Sequence, residues 1–112
     1  MLLKKVEEHS KEIPHETRLI IAALDNPIRQ AILVLLSEKK ELSFSEMQKE
    51  FGIEKLTLNF HLKKLFSSAL IDHYYKHEIG NQKYSFYSIT SLGRRILSSL
   101  INAIVPPTTQ QE

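Results

Sequence analysis

The sequence predicts a mainly α-helical chain with a single β-hairpin toward its C-terminal end. Three observations carry that prediction. Apolar residues recur at helical spacing in PIRQAILVLL (27–36) and TLNFHLKKL (57–65). The second of these helices follows another after only a few residues around Gly52. Residues 71–90 then turn abruptly to Tyr, Phe and Ile on either side of Gly80-Asn81.

Taken in order, LLKKVEEHSKEI (2–13) reads as a short helix with Leu2, Leu3, Val6 and Ile13 apolar, stopped or re-aimed at Pro14. HETRLIIAAL is a good helix former up to Leu24. Asp25-Asn26-Pro27 interrupts it, with Asn26 as N-cap and Pro27 at the first helical position. The next helix places Ile28, Ala31, Ile32, Leu35 and Leu36 on one face. After the polar SEKKE run, Leu42 is expected in a very short strand. Ser43 and Glu46 form an S-x-x-E capping box for a third core helix with Phe44, Met47 and Phe51 inward, ended by Gly52.

In TLNFHLKKL a step of roughly 100° per residue puts Leu58, Leu62, Leu65 and Ala69 on one stripe. Leu56, Asn59, Phe60, Lys63, Lys64 and Ser67 then share the outer face. If Gly80-Asn81 is a two-residue hairpin loop, Tyr75 faces Phe86 and Tyr74 faces Tyr87 across the strands. Thr90 caps a last helix, SLGRRILSSLINAIV, and Pro106-Pro107 ends it. The expectation is one domain over residues 1–105 and a disordered polar tail over 106–112.

Composition narrows the function. A 42% hydrophobic and 25% charged chain of 112 residues is ordinary for a soluble globular domain. The absence of cysteine excludes disulfides, thiolate metal sites and cysteine redox sensing. No signal-peptide pattern is present, and AILVLL (31–36) is too short to span a bilayer, so a cytoplasmic location and no membrane partner are expected. The net charge of +2 is uneven: residues 55–95 hold seven Lys or Arg against Asp72 and Glu78, +5, which leaves −3 elsewhere. A basic segment on a near-neutral chain points to a polyanionic partner. Catalysis is not expected: the chain has no thiol, no glycine-rich phosphate loop, no supported Ser-His-Asp spacing and no paired carboxylates on an apolar face.

The element order resembles a winged helix-turn-helix, and three segments sharpen the likeness. ALDNPIRQAILVLL is similar to "aL-x-x-p-x-R-x-x-I-L-x-x-L", LNFHLKKLFSSALI to "l-s-x-H-L-k-k-L-x-x-a-G-L-v", and YSIT followed by SLG to "Y-s-l-T-x-x-G". Together they cover roughly residues 20–100 and resemble the ArsR-like transcription regulators. The likeness implies binding of double-stranded DNA by a homodimer. Departures are Ala69 where the turn usually has glycine, and Glu54 where a serine cap is common. Metal-sensing relatives carry "C-V-C" where ELSFSEM has Ser43 and Ser45, and the last helix has no Asp, Glu or His for the second family site. Serine hydroxyls are poor ligands for soft metals, so neither metal sensing nor a cofactor carries over.

For DNA, the resemblance puts the outer face of TLNFHLKKL in the major groove. Asn59 suits adenine, and Lys55 or Lys63 suits guanine or phosphate. Leu56 and Phe60 suit thymine methyls, with Thr57 and Lys64 beside them. Lys76 and Lys83, with Asn81 and Gln82 at the hairpin tip, fit phosphate contacts of a wing, and Ser43 and Ser45 fit a phosphate at a helix N-terminus. A protein-docking patch at Leu56 and Phe60, without DNA binding, is the alternative. A plain solvated helix face and a hairpin tip that is merely polar are the bland ones. His61, at the edge of the buried stripe, reads as a hydrogen-bonded structural residue. His73 and His77, about 13 Å apart on a strand, read as wing-surface groups that gain charge at mildly acid pH. Leu2, Leu3 and Val6, with Leu92, Ile96, Leu97, Leu100, Ile101, Ile104 and Val105, are the expected dimer interface. Operator and any small-molecule effector stay open.

Overall fold

The computed structural model describes residues 2–77 and 83–104, the side chain of Leu2 excepted. The expected turn at Gly80-Asn81, the wing-tip contacts Asn81 and Gln82, Val105 and the polar tail lie outside them. The elements run α1 (Leu2–Ser10), α2 (His15–Leu24), α3 (Pro27–Glu38), β1 (Leu42–Ser43), α4 (Phe44–Phe51), α5 (Lys55–Ser67), β2 (Ile71–His77), β3 (Lys83–Ile89) and α6 (Ser91–Ile101). The strands form one antiparallel sheet in the order β1-β3-β2. This is a winged helix-turn-helix: a helical core, α4 and α5 as the paired helices, and β2–β3 as the wing.

Local chemistry fixes the helix starts. Asn26 Oδ1 accepts from the amides of Ile28 (2.8 Å) and Arg29 (3.1 Å), with Pro27 next in line. Ser43 and Glu46 form the reciprocal capping box, Oγ to the Glu46 amide at 3.1 Å and Glu46 Oε1 to the Ser43 amide at 2.8 Å. Thr90 Oγ1 accepts from Gly93 N at 2.9 Å. Glu54 makes no side-chain cap, so α5 starts without that support.

Among the described residues, two turns use the left-handed region. Gly52, at φ 61° and ψ 35°, ends α4 and opens the turn to α5. At the far end of α5, Leu70 N bonds Leu65 O (3.1 Å) and Ala69 N bonds Phe66 O (3.0 Å), the paired bonds of a Schellman motif. Its left-handed position is Ala69, at φ 63°. Ala69 is therefore exposed and past the helix, not on the Leu58–Leu62–Leu65 stripe where periodicity places it, and Ser68 is buried instead.

The core gathers Ala23, Ile32, Leu33, Leu36, Met47, Leu58, Leu62, Leu65, Leu70, Ile71, Tyr87, Ile89 and Leu97. Leu33 belongs to it, while Ile28, Ala31 and Leu35 are half-buried, so the buried face of α3 is rotated from the expected one. Gly93 lets α6 close onto the sheet: a Cβ there would lie 2.2 Å from Leu70 O.

The wing register differs by one residue from the expectation. Tyr74 pairs with Phe86 and His73 with Tyr87, and five residues separate His77 from Lys83. The core decides this. The observed register sets Ile71 opposite Ile89 and His73 opposite Tyr87 on the inner face, whereas a one-residue slip would turn Ile89 and Tyr87 outward. Tyr74 and Phe86 stack on the outer face, centroids 6.3 Å apart.

Candidate nucleic-acid interface

Helix α5 is seated by three leucines and one polar lock. Leu58, Leu62 and Leu65 are buried in the core. One turn from them, His61 Nδ1 accepts from Arg29 Nη1 at 2.9 Å; a guanidinium only donates, so the imidazole is neutral with its proton on Nε2. Arg29 also donates through Nε to Ala23 O (2.7 Å) and through Nη2 to Ala22 O (3.3 Å). The guanidinium thus ties together the end of α2, the start of α3 and the middle of α5. Burial, and then the Arg29 charge, push the His61 pKa below its ordinary value. The structural role expected of His61 fits this geometry. Arg29 had no assigned role, although its place in the R-x-x-I-L segment was its signal.

The other side of α5 is open. Leu56 is 81% and Phe60 54% exposed, Lys55, Lys63 and Lys64 are exposed, and Thr57 and Asn59 are half-buried at the flank. Lys64 Nζ sits 5.4 Å from the Phe60 ring centroid, a cation–π contact that keeps the ring out toward solvent beside a positive charge. Helix α5 therefore presents Leu56 and Phe60 among three lysines and an amide, with Phe66 also exposed near its C-terminal end.

The wing's two lysines part company. Lys83 lies on the face that looks toward α5, its Nζ 5.9 Å from the Tyr75 centroid. Lys76 is on the opposite face, ion-paired with Glu41 and lying 4.7 Å over the Phe86 ring. Tyr74 donates to the same carboxylate. Hydrogen bonds from Lys76 and then Tyr74 lower the Glu41 pKa, and burial and the Glu41 bond push Tyr74 up to about 12. Lys76 is thus a strut between the wing and the segment before β1, facing away from α5.

His73 is not the wing-surface group expected. Its ring stacks on Tyr87 (4.4 Å, 8° between planes), meets Tyr75 at 4.9 Å and the edge of Phe66 at 6.3 Å, and bonds Ser85 Oγ at 3.1 Å. Burial lowers its pKa below the ordinary histidine value. Ser43 Oγ is engaged in the α4 cap, with the Glu46 carboxylate at the same helix end, while Ser45 is exposed. Among the described residues no three His, Asp or Glu converge as a metal site. No single helix among them is long and apolar enough to cross a membrane.

At the chain ends, Leu3 (79%), Val6 (59%), Leu100 (47%), Ile101 (64%) and Ile104 (90%) are exposed. Leu97 is buried in the core, so its side chain is used within the chain, whereas Leu92 and Ile96 pack against the core and stay half-buried. A stripe on an amphipathic helix does not say which neighbour covers it.

Residues 24–74 match a family described as a helix-turn-helix domain. No curated protein matches the chain. Solved structures do. A transcriptional regulator homologue from Pyrococcus horikoshii is 28% identical, over 86% of this chain and 93% of that one, with a TM-score of 0.62. The homodimeric winged helix-turn-helix DNA-binding domain of a possible ArsR-family regulator from Mycobacterium bovis is 21% identical, covering 79% and 77%, TM-score 0.66. Bacillus subtilis PadR in complex with operator DNA is 22% identical, covering 72% and 50%, TM-score 0.62. Residues 24–74 are thus a helix-turn-helix domain, and the chain has the winged-helix fold of transcription regulators and resembles those of the ArsR type.

Proposed function

We propose that this chain is a homodimeric, sequence-specific duplex-DNA-binding transcription regulator that does not sense metals. The observation that carries the reading is the outer face of α5, where Leu56, Asn59 and Phe60 stand among Lys55, Lys63 and Lys64. Lysines supply attraction to any duplex; the amide and the apolar pair supply groups that adenine edges and thymine methyls match. Thr57 flanks this face. Lys83, turned toward α5, suits a phosphate of the same duplex, as do Ser45 and the wing-tip Asn81 and Gln82. Dimerisation is supported by α1, exposed from Leu3 to His9, and by Leu100, Ile101 and Ile104, apolar groups that the other described residues leave exposed. The Mycobacterium bovis relative is a homodimer. Serines at 43 and 45 in place of thiols support the absence of metal sensing. The domain is taken as residues 1–105.

The test is binding to random duplex DNA across a salt series, with sedimentation at micromolar concentration. Salt-dependent weak binding by a dimer is expected. Lys83→Gln should lower affinity for every duplex and flatten the salt slope, while Lys76→Gln should leave the slope unchanged. A monomer, or no salt-dependent binding, overturns the reading. The second result would favour a protein-docking role, to which the exposed Leu56 and Phe60 are also suited.

A further inference from the structure

Between the wing and α5 lies a cleft of about 380 Å³, inside the range of roughly 300–1,000 Å³ typical of small-molecule sites. Its walls are aromatic: Tyr75, Tyr84 and Tyr87 with His73, the last two stacked in parallel. Lys55 from α5 and Lys83 from β3 are its charged lining, and among the described residues neither Asp nor Glu lines it. The wall is rigid where it is deepest, since Tyr87 is 4% exposed and His73 is held by Ser85. Tyr75, 60% exposed, forms the outer lip.

A phosphate would use the lysines and at most the tyrosine hydroxyls, and would leave the ring faces of His73 and Tyr75 without a partner. Aromatic faces gain from stacking against another π-system. We propose that the cleft binds a planar aromatic molecule bearing one anionic group. The ring lies against His73 and Tyr75, and the anion is held between Lys55 and Lys83. Leu56 and Asn59 line the same cleft, so an occupant covers part of the face assigned above to DNA. Ligand and duplex then exclude one another; this second step rests on the proposed DNA binding.

The probe is 1-naphthoate, titrated into the full chain and followed by two-dimensional NMR, with cyclohexanecarboxylate and 1-naphthalenemethanol as aliphatic and uncharged controls. Saturable shifts centred on His73, Tyr75, Ser85 and Lys55 are expected, with a Kd of about 0.1 mM, ordinary for a ligand of this size. Both controls should bind at least about tenfold more weakly. Lys83→Gln and Tyr75→Ala should each weaken naphthoate by about fivefold or more, their spectra otherwise preserved. No saturation by several millimolar, equal binding of either control, or shifts centred instead on the groove lined by Leu33 and Val34 of α3 and Leu97 and Ile101 of α6 would overturn the site. If duplex DNA binds and saturating naphthoate leaves its affinity unchanged, the exclusion is wrong. If duplex DNA does not bind at all, the proposed function fails, and the naphthoate shifts still decide the site.

Discussion

Replacing Arg29 with Met removes a buried guanidinium while keeping much of its apolar stem, so the loss reports on the hydrogen bonds. Three bonds go: to Ala23 O at 2.7 Å, His61 Nδ1 at 2.9 Å and Ala22 O at 3.3 Å. The last is long, and Ala22 O also accepts from Asp25 N at 3.4 Å, so it counts little. The two short bonds have a charged donor and contribute about 1.5–3 kcal/mol each. Against this, the variant no longer confines a cation that is only 8% exposed, which recovers part of the loss. The expected net cost is about 3 kcal/mol, a large share of the ~5–15 kcal/mol typical of a domain. Urea unfolding should show a lower midpoint at unchanged m, and the melting temperature should fall by about 12 °C. A cost below about 1 kcal/mol would mean that water replaces the guanidinium. Full rescue by Arg29→Lys would show that the charge matters, not the three-way fork.

Phe60→Ala should leave stability nearly intact and cost specific DNA binding about 1–3 kcal/mol, with non-specific binding preserved; unfolding would place the ring in the core. Leu62→Ala should do the reverse, destabilising the fold by ~2–5 kcal/mol. His61 and His73 both have depressed folded-state pKa values, so the unfolded chain takes up protons first. Stability should be full above the unfolded value near 6.5 and fall as pH drops from there toward the folded values, by up to about 1.4 kcal/mol per pH unit for each group. His61→Asn, which keeps an acceptor for Arg29 but cannot titrate, should reduce that slope in urea titrations; an unchanged slope refutes the assignment. Ala69→Gly should raise stability by about 1 kcal/mol, by relieving a left-handed alanine; a loss would mean that its Cβ packs usefully.

Much of the fold was legible because its punctuation is local. Asn26-Pro27, the Ser43–Glu46 box, Gly52 and Thr90 act on backbone groups within a few residues, so their chemistry is written where it operates. What escaped depends on distant partners. The wing register follows from Ile71 and Ile89 sharing the inner face, which no hairpin sequence states by itself. The end of α5 was hidden because its left-handed residue is alanine. The half-buried place of His73 is not legible either, since nothing in IDHYYKH says that its ring packs on Tyr87 with Phe66 at its edge. Leu97 went to the dimer face for the same reason, and the cleft beside α5 has no signature in the sequence.

The seat of α5 bears on how such a helix can be firm and open at once. A helix held only by apolar contacts needs a wide stripe, commonly more than 100° of its circumference. Here Leu58, Leu62 and Leu65 make a narrow one, and the helix also carries Leu56 and Phe60 on its outer side. Burial of three leucines fixes the depth of the helix but constrains its rotation weakly, since dispersion contacts have little directional preference. The Arg29–His61 bond supplies direction: a guanidinium anchored chiefly on Ala23 O of α2 meets one ring nitrogen, and turning α5 about its axis breaks it. The angle at which Asn59 and Phe60 face outward is therefore set from the buried side, by Arg29, which is only 8% exposed. On this argument His61→Leu, even where it preserves the fold, should blur the preference among DNA sequences more than it weakens binding to random duplex.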